Sequence, residues 1–127
     1  MPDLASFDYA IVRVVPRVER AEFVNAGVIL FCRTQGLLEA RIALDPKRLR
    51  AIAPGIDLEE VEGHLRLIPC ICRGGTQAGP IGLLSPSERF HWLTAPRSTV
   101  IQTSPVHSGL CTDTIATLER LLQQAVT

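Results

Sequence analysis

The sequence lacks an excess of charge of either sign. Its 127 residues include 13 basic and 13 acidic side chains, so the formal net charge is zero. Proteins that bind nucleic acid usually carry a large basic excess, because lysines and arginines neutralise the phosphates. We therefore expect no nucleic-acid partner. A small local group of basic side chains is still compatible with a small anionic ligand.

Long apolar runs and a secretory leader are also missing. The most apolar early stretch, residues 9–15, is interrupted by Arg13, and no stretch approaches the ~20 apolar residues of a membrane span. The start, MPDLASFDYA, has an acidic residue and no basic cluster ahead of its apolar run, unlike a secretory signal. We therefore expect no membrane partner and a cytoplasmic location, in which the four cysteines stay reduced.

The chain does contain enough apolar residues for one packed domain, which we place at residues 1–127. A domain of this size buries about two-thirds of its unfolded surface, so it folds without a disulfide or a metal. Its hydrophobic fraction of 46% is high for a small monomer. We therefore expect a homo-oligomer such as a dimer, or another protein partner, to cover part of the apolar surface.

Four segments have the patterns of strands. Residues 7–15 are rich in β-branched side chains and end at Pro16, which lacks the N–H that a ladder needs. Residues 27–33 are apolar on both faces, as in a central strand that is covered on both sides. Residues 37–44 alternate between apolar and polar side chains, which predicts a half-exposed strand. The last predicted strand covers residues 98–104.

Helical signals follow the first three strands and end the chain. Asp45–Pro46 predicts a short helix, because proline suits the first helical position. Asp57 and Glu60 resemble a capping box in front of a second helix. Thr112 or Asp113 caps the last one. The order of elements predicts an α+β domain with a mainly antiparallel sheet of four to five strands and with helices packed on one face.

The segment APRSTVIQTSPVHSGLC, residues 95–111, carries most of the candidate functional side chains. Arg97 offers a planar fork of N–H donors that suits phosphate or carboxylate. His107 is the candidate catalytic acid or base, because imidazole changes its charge near neutral pH, and we expect it in a loop after Pro105. Arg13, an ionised group in an apolar strand, needs a carboxylate or a bound anion as a partner. The predicted ligand-binding residues are Arg13, Arg97, Ser98, Thr99, Gln102, Thr103 and Ser104.

These patterns also have purely structural interpretations. The polar segment fits an edge strand with satisfied hydroxyls, and no nucleophile elbow surrounds its serines. Trp92 fits either a core residue with a polar tip or a stacking surface for a ligand ring. Cys70, Cys72, His107 and Cys111 would give four zinc ligands, but their Cys-x-Cys spacing and apolar neighbours favour core cysteines. The sequence therefore predicts no metal and no cofactor.

Two long blocks of the sequence resemble a bacterial family. They are FDYAIVRVVPRVERAEFVNAGVILFC and FHWLTAPRSTVIQTSPVHSGLC, and the likeness extends from about residue 7 to residue 122. They are similar to the group catalogued as domain of unknown function 3037. The resemblance implies a small stand-alone bacterial protein, and it supplies neither a reaction nor a catalytic residue. It also implies a HipA-like kinase-fold protein as a hetero-partner, because members are often encoded beside one.

Two hypotheses follow, and the sequence leaves open whether the protein is an enzyme. The first is a non-enzymatic accessory or binding protein that acts as a dimer or with a partner such as a HipA-like kinase-fold protein. It rests on the high apolar content and on the missing catalytic motif. The alternative is a small enzyme or phosphate-ligand binder, in which Arg97 holds an anion and His107 exchanges a proton.

Overall fold

This computed structural model describes residues 3–127 of the chain. Along these residues, three strands are followed by three helices, and two further strands precede a final helix. The first two residues of the expected domain, which also begin the segment MPDLASFDYA, lie outside that part. The elements are β1 Ala5–Val14, β2 Val24–Cys32, β3 Leu37–Ile42, α1 Pro46–Ile52, α2 Leu58–Arg73, α3 Pro86–Thr94, β4 Ile101–Thr103, β5 His107–Cys111 and α4 Thr114–Ala125. None of the helices in residues 3–127 has the length and apolar character needed to cross a membrane.

The strands form one antiparallel sheet around β1. On one side of β1 lies β2, followed by β3; on the other side, β4 and β5 lie end to end along different halves of β1. This arrangement confirms the predicted α+β class and the mainly antiparallel sheet of four to five strands. The predicted strand at 98–104 is wrong in extent, because the observed strand covers only Ile101–Thr103.

A β-bulge in β2 shifts the alternation of its side chains. Gly27 pairs with Val12 while Asn25 pairs with Arg13, which leaves Ala26 as an extra residue. The apolar side chains before and after the bulge therefore reach the same core. A Cβ at Gly27 would approach a backbone oxygen of β3 to 2.5 Å, so only glycine fits at this point.

Helices cover both faces of the sheet. Apolar side chains of α1, α2 and α3 pack with β1, β2 and β3 in one core. On the opposite face, Leu118 and Leu121 of α4 pack with Val28 and Leu30 of β2 in a second core. The prediction that helices pack on one face therefore holds for three of the four helices, and α4 is the exception. The cause lies in β2, whose side chains are apolar on both faces and need a cover on each.

A buried arginine joins α3 to the end of α2. Arg89 is 8% exposed, and its Nη1 donates to the carbonyl oxygens of Ile71 and Cys72 at 2.7 and 2.6 Å. Its Nε donates to the carbonyl oxygen of Leu84 at 3.1 Å. No carboxylate in residues 3–127 forms an ion pair with it. The guanidinium is instead stabilised by the carbonyls at the negative end of the α2 dipole.

We expect Arg89→Met to lower the free energy of unfolding by about 2–4 kcal/mol, because three carbonyl oxygens lose a charged donor. Arg73→Met is the matched control, since Arg73 ends the same helix with an exposed side chain. Urea denaturation followed by circular dichroism gives both values. Equal stability of the two variants would contradict the role that we assign to Arg89.

Candidate functional site

An open groove of about 440 Å³ lies between α2, α3 and β4. Leu67 and Ile68 of α2 and Trp92 of α3 form one wall, and residues 99–103 form the other. Three large apolar side chains at this groove remain accessible to water: Leu67 is 55% exposed, Trp92 41% and Val100 40%. Concave apolar surfaces with a few polar groups are typical of binding sites, which makes this groove the candidate functional site.

The ionisable side chains that line the groove are an arginine and a histidine. Within the described chain, His64 and Arg97 line it and no aspartate or glutamate does. His64 lies 3.9 Å from Glu60 on the preceding helical turn, outside the lining. Arg97 forms no ion pair with any described carboxylate. The groove is therefore suited to an apolar ligand that carries a negative charge.

Arg97 is held in place by α3. Its guanidinium carbon lies 4.4 Å from the centre of the Trp92 ring, a cation–π contact. Its Nη1 donates to the carbonyl oxygen of Leu93 at 3.3 Å, and its Nη2 donates to that of Trp92. These bonds use two of the five N–H groups of the guanidinium. The remaining three are available to a ligand at the rim of the groove.

Three other predicted ligand-binding residues also line the groove: Thr99, Gln102 and Thr103. Thr99 Oγ1 donates to the carbonyl oxygen of Ile101 at 2.9 Å, and Gln102 Nε2 donates to that of Thr99 at 2.8 Å. These two bonds fix the turn that leads into β4. Ser98 is exposed and is not part of the lining.

Ser104 has a structural environment. It is 3% exposed, and its Oγ accepts a hydrogen bond from the backbone N–H of Ile11 at 2.8 Å while donating to the carbonyl oxygen of Pro105 at 2.9 Å. The backbone N–H of Ser104 donates to Ile11 in turn. The side chain thus replaces a ladder hydrogen bond where the chain leaves β4, before the interruption at Pro105.

His107 lies away from the groove. The expected loop position is wrong, because His107 is the first residue of β5 and pairs with Tyr9. The centre of its ring lies 5.3 Å from that of Tyr9, with the two ring planes tilted by 36°, and Tyr9 packs against the core beneath α4. Arg97, by contrast, lies with α2 and α3 on the other side of the sheet. The structure does not bring these two predicted residues together.

Arg13 also faces the α4 side. It pairs across the strands with Asn25, and its guanidinium carbon lies 4.2 Å from the centre of the Phe23 ring. Arg13 Nε and Asn25 Oδ1 are buried without a hydrogen-bond partner among residues 3–127. The observed partner of the Arg13 guanidinium is thus the ring of Phe23, whereas the sequence predicted a carboxylate or a bound anion.

The cysteines considered for zinc belong to separate cores. Cys72 lies in the core beneath α2, and Cys111 lies in the core beneath α4. Burial raises the pKa of the Cys72 thiol to about 12, with a smaller contribution from the charge of Glu39. Nowhere in residues 3–127 do three or more potential metal ligands cluster.

Sequence reasoning missed the α2 wall of the groove. Leu67 falls outside the apolar stripe that Val61, Leu65 and Ile68 form on this helix. A large apolar residue at an exposed position of an amphipathic helix is the signal that could have identified this surface.

A second groove, of about 500 Å³, lies between residues 16–22 and residues 52–56. Its lining mixes Arg17 and Arg20 with Glu22, and Arg20 pairs with that glutamate. Its two isoleucines, Ile52 and Ile56, are only half-exposed. It therefore lacks the exposed apolar walls of the groove beside β4.

Fold and groove together define a small α+β domain with one antiparallel sheet and a solvent-open apolar groove. Residues 9–126 match the family described as Protein of unknown function (DUF3037), and the chain belongs to that family. The resemblance seen in the two sequence blocks is thereby confirmed. Searches of curated proteins and of solved structures found no match.

We expect Ser104→Ala to lower the free energy of unfolding by about 1–3 kcal/mol, because the backbone N–H of Ile11 loses its acceptor. Ser98→Ala, a change of the same kind at an exposed position, should leave stability unchanged. Urea denaturation measures both. An equally stable Ser104→Ala variant would refute a structural role for this hydroxyl.

Cys72 should resist alkylation in the folded protein. With a pKa of about 12, its thiol is almost entirely protonated at pH values near neutrality, and the thiolate is the reactive form. Iodoacetamide treatment followed by peptide mass spectrometry should therefore show Cys72 modified in urea and unmodified in native buffer. Rapid native modification would mean that this part of α2 opens readily.

Proposed function

We propose that this protein is a cytoplasmic accessory module that binds a protein partner through the groove between α2, α3 and β4. The observation that carries the proposal is the clustering of Leu67, Trp92 and Val100, all substantially exposed, around one concavity. Burying apolar surface stabilises a complex by about 25 cal/mol per Å² before the costs of association are counted. A partner that covers these side chains would obtain most of its binding free energy from the apolar walls of the groove.

Our candidate partner is a HipA-like kinase-fold protein, for which the support is the family resemblance alone. A second copy of this chain is the other candidate, because a homodimer would also cover exposed apolar side chains. The high hydrophobic fraction is compatible with both. Native mass spectrometry of the protein alone and after mixing distinguishes a homodimer from a hetero-complex.

The alternative function, a small enzyme or phosphate-ligand binder, has weaker support. It requires Arg97 and His107 to act on one ligand, yet they lie on opposite sides of the sheet. Part of the Arg97 fork is also engaged by the carbonyls at the end of α3. Inorganic phosphate should therefore leave the melting temperature unchanged; a clear increase that Arg97→Ala abolishes would restore this alternative.

The groove is tested by placing a charge on one wall. Leu67→Glu should weaken binding to the HipA-like protein by about tenfold or more, because a carboxylate would be desolvated at the interface. Leu110→Glu is the matched control: Leu110 is 65% exposed, lies on β5 outside the groove, and should tolerate the same change. Isothermal titration calorimetry measures both affinities.

Three results would count against this proposal. The first is the absence of both a homodimer and a hetero-complex at micromolar concentration. The second is a complex that Leu67→Glu leaves intact. The third is an equal loss of binding in both variants, which would mean that added negative charge acts at a distance.

A further inference from the structure

The wall of the groove formed by β4 is an edge of the sheet. The backbone N–H of Ser104 donates to the carbonyl oxygen of Ile11 at 2.8 Å, and that of Val15 donates to the carbonyl oxygen of Val100 at 2.6 Å. Alternation in an antiparallel ladder places the bonds to β1 at every second residue of this segment. Ile101 and Thr103, which lie between the bonded positions, therefore turn their backbone groups away from β1.

The outward backbone groups of β4 are largely free. Thr99 Oγ1 occupies the carbonyl oxygen of Ile101. The N–H of Ile101 and both backbone groups of Thr103 have no hydrogen-bond partner within the described residues. Two donors and one acceptor at a two-residue spacing match the pattern that an additional strand would bind.

The two edges of the sheet differ in how they are protected. Natural edge strands carry charged residues, prolines or bulges that discourage pairing with another chain. On the opposite edge, β3 carries Glu39 and Arg41, and Arg41 bonds to Glu39 and to Glu119 of α4. The sequence of β4, Ile-Gln-Thr, contains no charge and no proline. Apart from its short length of three residues, this edge therefore has none of these protections.

Side chains of an added strand would enter the groove. Ile101 and Thr103 pair with Val14 and Val12, which belong to the core beneath α2, so their side chains point to the groove side of the sheet. Successive side chains of a strand point to opposite faces. Every second side chain of a strand beside β4 would therefore face Leu67 and the rest of the α2 wall.

We propose that the partner presents an extended segment that adds as a strand to β4, with apolar residues at alternate positions and an aspartate or glutamate that pairs with Arg97. The acidic residue follows from charge complementarity, since the described lining is basic and contains no carboxylate. This inference rests on the proposed function, because it names the segment that occupies the same groove.

A random-peptide phage library panned against the purified protein, with Leu67→Glu as the counter-selection, tests the chemistry of that segment. We expect enriched peptides with apolar residues at every second position and at least one acidic residue. Enrichment of apolar residues three and four apart would indicate a helical ligand and would overturn strand addition. Failure to enrich any peptide would overturn it as well.

The charge pairing is tested on the enriched peptide, synthesised with blocked ends. Replacing its acidic residue by the corresponding amide should weaken binding about tenfold to the wild type, and much less to Arg97→Ala. Arg97→Lys keeps the charge and should restore part of the affinity. If the amide substitution weakens binding to the wild type and to Arg97→Ala by the same factor, the acidic residue of the peptide does not contact Arg97.

Backbone pairing is measured by amide hydrogen exchange with the same peptide. The amides of Ile101 and Thr103 should slow by about tenfold or more when the peptide is saturating, while those of the remote turn at residues 33–36 stay unchanged. Methylating every second backbone nitrogen of the peptide should abolish binding when those nitrogens face β4. Methylating the intervening nitrogens, which face away from β4, should not. Unchanged exchange at both β4 amides would exclude an added strand.

These experiments separate the two proposals. If the intact partner binds in a manner sensitive to Leu67→Glu but the peptide results fail, the groove remains the binding surface and strand addition is wrong. If neither the partner nor any peptide binds, the proposed function fails together with this inference.

Discussion

The buried guanidinium of Arg89 is the constraint on which the binding surface depends. It reaches from α3 to the last carbonyls of α2 and to the connection that precedes α3, so it sets how closely the two helices approach. A buried charge without a carboxylate is tolerated here because several oxygens accept its N–H groups. A lysine could not replace this planar fork. The relative position of α2 and α3 therefore depends on these hydrogen bonds together with the apolar core that the two helices share.

A second constraint shapes the opposite wall. Ser104 supplies a side-chain oxygen where the ladder along β1 would otherwise lose an acceptor, so β4 can end and β5 can begin on the same edge. The short β4 that results is uncharged and lies beside the exposed apolar side chains of α2 and α3. The free edge of β4 and one wall of the groove are therefore formed by the same short segment.

Much of the fold could be predicted from the sequence, because β1, β2 and β3 have clear periodic patterns and α1, α2 and α4 each have an aspartate N-cap. The split edge could not, since a strand of three residues has too little periodicity to be recognised. Ser104 and Thr99 look alike in sequence, yet one is buried in the ladder and the other lines the groove. Only the register of β1 against β4 and β5 separates these environments, and register depends on tertiary pairing.

The central claim is that the groove between α2, α3 and β4 is the surface that a partner covers. Trp92 is the only tryptophan of the chain and lies on the groove, so it reports on this surface alone. The most direct measurement is the fluorine NMR spectrum of protein labelled with 5-fluorotryptophan, recorded with and without the unlabelled HipA-like protein. The account predicts that the single resonance shifts or broadens as the complex forms. A complex detected by mass that leaves this resonance unchanged would contradict the claim.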